Sequence, residues 1–222
     1  MKIFKSLKCY HSIFAVFSIL LFFSFFISKL NSVIAQTSDA DSVVVTLDVI
    51  AGIAIDSPSD VSMSRPLSMT NMTAIGTSTW NVVTNNAAGY NLTVKADTSP
   101  AMQQNVGTTT TIADYNTGIP TLWSVSAGTA KFGFSAFGPD TSDVTWGTGE
   151  TCSGEEVNDP SSSLKYLGFT TSSTSSFAIA TRSSTTTFAG SATTICFAVE
   201  QNGFYIPSGQ YTATITATAV TI

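Results

Sequence analysis

From residue 36 to residue 222 the sequence predicts an all-β fold, an antiparallel β-sandwich of immunoglobulin-like or jelly-roll-like form. Three observations predict it. Short β-branched and aromatic runs alternate with polar residues at period two. Clusters of Gly, Pro, Asn, Asp and Ser separate those runs. After Gln36 no stretch sustains a helical apolar period.

Residues 1–35 read differently, as a signal-peptide helix. Lys2, Lys5 and Lys8 precede an apolar run from Ile13 to Ile27, and Val33-Ile34-Ala35 supplies the small residue that a signal peptidase needs. The expected cut lies between Ala35 and Gln36. The apolar run is shorter than the ~20 residues of a spanning helix, and Ser18 and Ser24 interrupt it. Cys9 lies before this run rather than at its end, which argues against a lipoprotein. The remainder, 36–222, is expected to be one secreted domain with a long acidic loop at 139–160.

Within that domain Val43, Val45, Leu47 and Val49 alternate with Val44, Thr46 and Asp48, predicting a first strand that Ile53-Ala54-Ile55 continues. Trp80, Val82 and Thr84 share one face. Asn85-Asn86-Ala87-Ala88-Gly89 then predicts a hairpin turn, with Tyr90, Leu92, Val94 and Ala96 alternating on the return. Further strands are expected at Phe132 to Ala136, at Phe177 to Ala180 and at Ile195 to Val199. The last runs from Tyr211 to Ile222. It carries no wall-sorting motif, so any attachment to a cell is expected to be noncovalent or through another protein. The candidate core is Trp80, Tyr90, Leu92, Val94, Phe132, Phe134, Ile195, Phe197, Val199 and Ile215. The Ser/Thr-rich stretch from Thr170 to Thr194 reads as solvent-facing sheet and loop.

Charge narrows the partners. After Ala35 there are five basic residues, Arg65, Lys95, Lys131, Lys165 and Arg182, against all 14 acids. Such a surface repels nucleic acid, whose binding depends on neutralising phosphates, and it lacks a basic cluster for anionic lipid. Neither nucleic acid nor a membrane is expected as a partner after the signal is cut.

Catalysis finds no footing. The only histidine, His11, lies in the signal peptide, and Glu155-Glu156 are adjacent, so they point apart in extended chain. Ser162-Ser163-Leu164-Lys165 matches a bare Ser-x-x-Lys pattern without its companion motifs. The chain is therefore read as no enzyme. Cys152 and Cys196, an even pair in an exported chain, predict one disulfide. It would tie the acidic loop to the lesser face of the last-but-one strand, because Cys196 alternates with the large apolar residues. The six carboxylates of the 139–160 loop are hard-ion ligands by type but lack an Asp-x-Asp-x-Asp-Gly spacing, and no cofactor or metal is expected. Carbohydrate binding would use an exposed aromatic ring, and Trp146, beside the acidic loop, is the aromatic expected to face a ligand.

Ser78-Thr79-Trp80-Asn81-Val82-Val83-Thr84, Gly89-Tyr90-Asn91-Leu92-Thr93-Val94 and the ending Ser208 to Thr216 resemble small secreted bacterial surface β-sandwich proteins. Among named types they are similar to WxL-type cell-wall-associated domains. Val82 and Val125 stand where the Trp-x-Leu motif would have leucine. The resemblance implies an extracellular structural or adhesive module, wall-associated or assembling with copies of itself or with other cell-surface proteins. The alternative is a secreted module that binds carbohydrate such as wall polysaccharide.

Overall fold

The computed structural model describes residues 38–105, 110–116, 118–169 and 176–222. The signal peptide and its expected cut at Ala35–Gln36 lie outside the described residues. The chain divides into two compact units between Asp48 and Val49. In the first, the described residues 38–48 are exposed and belong to no strand. No helix among the described residues is long and apolar enough to cross a membrane.

Among the described residues the second unit holds twelve strands and one helical turn: β1 (Ile53–Ile55), β2 (Thr73–Thr84), β3 (Tyr90–Ala96), β4 (Met102–Gln104), β5 (Thr111–Asp114), β6 (Thr121–Leu122), β7 (Thr129–Phe137), α1 (Asp143–Trp146), β8 (Lys165–Tyr166), β9 (Phe177–Arg182), β10 (Ser191–Asn202), β11 (Tyr211–Thr212) and β12 (Ile215–Thr221). Seven strands form the larger sheet in the order β1-β2-β10-β7-β5-β4-β11; β12-β3-β9 form the second, and β6 pairs with β8. All pairings are antiparallel except β5 with β7, which run parallel. The all-β sandwich is thus as the alternation predicts.

Period-two alternation sets the core. Trp80 and Val82 of β2, Phe132 and Phe134 of β7, and Ile195, Phe197 and Val199 of β10 bury one face of the large sheet. Opposite them stand Tyr90, Leu92 and Val94 of β3 and Ile179 of β9, flanked by half-buried Ile215, Ala217 and Ala219 of β12. Phe134 is the hub: its ring centroid lies 4.3 Å from Phe169 and 5.3 Å from Trp146. Each such fully buried side chain stabilises the fold by roughly 1.5–3 kcal/mol.

The opposite face of the large sheet carries a second apolar cluster of Ile75, Cys152, Leu164, Tyr166, Cys196 and Ala198. Cys152 and Cys196 form the expected disulfide, 44 residues apart in sequence. The bond fastens the acidic loop to this face. Tyr166 lies under the loop, where its hydroxyl accepts from the Ser161 backbone N–H at 3.1 Å, and burial raises its pKa.

Three expectations are corrected. The Asn85–Gly89 turn does not close a hairpin, because both edges of β2 are already taken, by β1 and β10. The turn instead carries the chain across to the second sheet. Gly89 makes that crossing possible: its φ is +86°, and a Cβ there would lie 1.8 Å from the Arg182 carbonyl oxygen. Second, Val43 to Val49 is not a strand; alternation supplies one apolar face, but no sheet edge is paired with it. The short β1 beyond Gly52 is the first paired strand. Third, the Tyr211–Ile222 run is two strands in different sheets, broken where the Thr214 carbonyl turns to accept from the Asp97 N–H at 3.1 Å.

Candidate functional site

Trp146 is 2% exposed. The expectation that it faces a ligand is therefore corrected. Ser142 caps the single turn of α1, its hydroxyl accepting from the Thr145 N–H at 3.4 Å, and the turn directs Trp146 inward against Phe134. Removing so large an apolar ring from water outweighs the pull of the neighbouring polar loop. Trp80 is buried in the main core. Trp123 is half-buried, stacked on Tyr115 at 4.5 Å, and its indole N–H donates to Glu200 Oε2 at 2.6 Å. Burial raises the Glu200 pKa, and the Trp123 bond opposes that rise. Trp80 and Trp146 are thus buried, and Tyr115 covers one face of Trp123.

A polar cleft of about 580 Å³ lies between the segment Pro139–Trp146 and β9 with the turn after it, and Asp140 sits at its inner wall. Asp140 Oδ2 accepts from Tyr90 Oη at 2.8 Å and from Ser191 Oγ at 2.5 Å, while Oδ1 accepts from Arg182 Nη1 at 3.2 Å. The Asp140 side chain is only 9% exposed, so this is a buried ion pair with its lone pairs occupied. It joins three sequence-distant elements, β3, β9 and β10, at the start of the acidic loop. Burial raises the Tyr90 hydroxyl to about 12, with the Asp140 carboxylate adding to that rise. Asp140, Tyr90, Ser191 and Arg182 are all partnered within this network, which makes it a clamp, whereas the buried Thr141 hydroxyl beside it in the cleft has no hydrogen-bond partner among the described residues.

Of the other loop acids, Asp159 accepts from Thr73 Oγ1 at 2.5 Å and stands 3.8 Å from Arg65. Among the described residues no three His, Cys, Asp or Glu side chains gather as a metal site. Ser162 and Ser163 lie in a turn and Lys165 in β8, so the Ser-x-x-Lys sequence does not lie on a helix.

At the opposite end of the sandwich an apolar cleft of about 440 Å³ is lined by Met63, Leu67, Met69, Met102, Tyr205 and Tyr211, among others. Its polar floor is already satisfied: Gln201 donates to the Ser68 carbonyl at 2.8 Å and accepts from the Ile206 N–H at 3.1 Å. This rim is not singled out by the sequence; the adjacent aromatics Phe204 and Tyr205 after Gly203, each about half exposed, are the signal that could have pointed to it, and Tyr205 lines it.

The remaining unusual surface is apolar and extended. Val43, Val44, Val45, Leu47, Val49 and Ile50 are each 76–90% exposed. A segment with strand alternation and no strand partner is an open template for pairing with another chain. The second sheet ends on one side at β12, whose inward row Ile215, Ala217 and Ala219 is only half-buried.

Comparison with family models, with curated proteins and with solved structures finds no match to this chain. The functional reading rests on these surfaces alone.

Proposed function

We propose that this chain is an extracellular, non-enzymatic structural or adhesive module of a cell surface that assembles with copies of itself. One observation carries the reading: an exposed apolar segment with strand alternation, Val43 to Ile50, occurs in a protein whose second sheet has an unpaired apolar edge. Charge is consistent with it, since the chain carries few cations to recruit nucleic acid or anionic lipid. The disulfide is compatible with an oxidising, extracellular setting.

Fractionation of the native cells, with sedimentation of the exported protein, tests this. A wall- or surface-bound protein that sediments above its monomer mass is the expected result. A free monomer in the medium would overturn it. A second reading, a secreted carbohydrate-binding module, draws support from the hydroxyl-rich lining of the Asp140 cleft, which includes Ser142, Thr145, Thr181 and Ser184. Retention on wall polysaccharide, lost in Thr145→Arg, would favour that reading.

A further inference from the structure

We infer that Val43–Val49 of one molecule adds as an antiparallel strand to the free edge of β12 in a second copy. This rests on the reading of the chain as a self-assembling module and names the surfaces that would join.

The two partners match in length and pattern. Both are seven residues long, and each alternates apolar or small side chains with polar ones except at Val44 and Val220, which fall opposite one another on the outward row. With Val49 opposite Ile215 and Val43 opposite Thr221, Val49, Leu47 and Val45 fall beside the half-buried Ile215, Ala217 and Ala219. The next positions inward, across β3, are Ala96, Val94 and Leu92. Large meets small in two of the three rows, Leu47 beside Ala217 and Val45 beside Ala219, while Val49 lies beside Ile215. β1 already packs beside β12, so the added strand would extend the second sheet along the backbone edge that β12 leaves without a hydrogen-bonded partner strand among the described residues.

The outward row also fits. Asp48 falls beside Thr216, which is paired with Lys95 and whose hydroxyl donates to Asp97 at 3.4 Å, so Asp48 would meet both a cation and a carboxylate, and Thr46 falls beside Thr218. Lys95 forms no ion pair among the described residues, so an incoming carboxylate one strand away finds an unused cation. A register shifted by one residue would turn Val45, Leu47 and Val49 to solvent, which fixes the alignment.

β12 is also the edge that lacks protection. It carries neither charge nor proline, whereas β9 ends in Arg182 and β1 runs directly into Asp56-Ser57-Pro58. Charges and prolines are the usual devices that keep sheet edges from pairing.

The occupant is a second copy because the chain's own segment cannot take this register. Asn85 Nδ2 donates to the Ile50 carbonyl at 2.8 Å, and the adjacent Asn86 Nδ2 donates to the Ile222 carbonyl at 3.0 Å. Ile50 is thereby held at the end of the sandwich where β12 finishes. Ile215 lies six residues back along β12 from Thr221, roughly 20 Å away. The molecule's own Val49 cannot reach it, while a separate copy has no such tether.

The test uses the full exported protein. One preparation carries Leu47→Cys and another Ala217→Cys; they are mixed under mild oxidant and read by non-reducing electrophoresis and mass spectrometry. A disulfide between the two different chains is expected. A third preparation, Val45→Lys/Leu47→Lys, alters side chains already exposed in the monomer and should leave circular dichroism unchanged. It should weaken self-association by about a hundredfold or more. If the wild-type protein assembles but neither the cross-link nor the lysine effect appears, this pairing is wrong and the broader reading of self-assembly stands. If a chain carrying both cysteines closes on itself as a monomer, the second copy is excluded as the occupant. A wild-type protein that stays monomeric at high concentration removes both.

Discussion

Replacing Asp140 with alanine should destabilise the sandwich by about 3 kcal/mol. Removing one partner of a buried pair typically costs about 3–5 kcal/mol, because the other charge is left without compensation. The lower end applies here, since the Arg182 side chain keeps 29% exposure and its Nε still donates to the Thr185 carbonyl at 2.9 Å. Tyr90 and Ser191 lose their acceptor as well. With a urea slope of about 2 kcal/mol per molar for a domain of this class, the unfolding midpoint should fall by about 1.5 M. Equilibrium urea unfolding followed by tryptophan fluorescence measures it. The double variant Asp140→Ala/Arg182→Ala should lose less than the two singles added together, because it strands no charge. A single-variant loss under about 1 kcal/mol, or strict additivity, would show that the clamp is not a coupled unit.

Four further outcomes are expected. Replacing Cys152 and Cys196 together by alanine should cost about 4 kcal/mol from loop-closure entropy alone, given the 44-residue separation, and denaturant unfolding measures it. Gly89→Ala should destabilise by more than about 1 kcal/mol, because it combines a positive φ with a clash on the Arg182 carbonyl; thermal unfolding reads the loss. Phe134→Ala should cost about 3–5 kcal/mol, since it empties the space between Phe169 and Trp146, and the same unfolding curves report it. Above the ordinary tyrosine range stability should decline: the folded protein holds the Tyr90 proton to about pH 12 while the unfolded chain releases it near 10, so stability intact below pH 10 is lost between them. Tyr90→Phe should flatten that part of a pH–stability profile.

Much of the fold was legible because side-chain alternation reports directly which face is buried. Leu92, Val94, Phe132, Phe134, Ile195 and Phe197 all face inward as their spacing requires. Alternation says nothing, however, about which edge a strand pairs with. That is why β2 and β3 looked like a hairpin when the Asn85–Gly89 turn in fact changes sheets. The same blindness made Val43 to Val49 read as a strand of its own domain. The disulfide was readable from the cysteine count and the opposite parity of Cys196. The Asp140 clamp was not, since its partners lie 42, 50 and 51 residues away and meet only through the sheet arrangement. The burial of Trp146 is not legible from its own surroundings because it depends on Phe134, a side chain from β7.

The neighbouring side chains Asn85 and Asn86 hold Ile50 and Ile222 at one end of the sandwich, and this gives the module an orientation. β2 runs from that end to Ala74 at the other, roughly 33 Å of extended chain. A fusion, tether or neighbouring domain joined before residue 50 or after residue 222 would therefore enter and leave at the same pole. The far pole, with its methionine- and tyrosine-lined cleft, would then be held outward like the head of a stalk. Pulling on both ends would load the Asn85 and Asn86 side chains together with the bond from the Ile222 N–H to the Gly89 carbonyl.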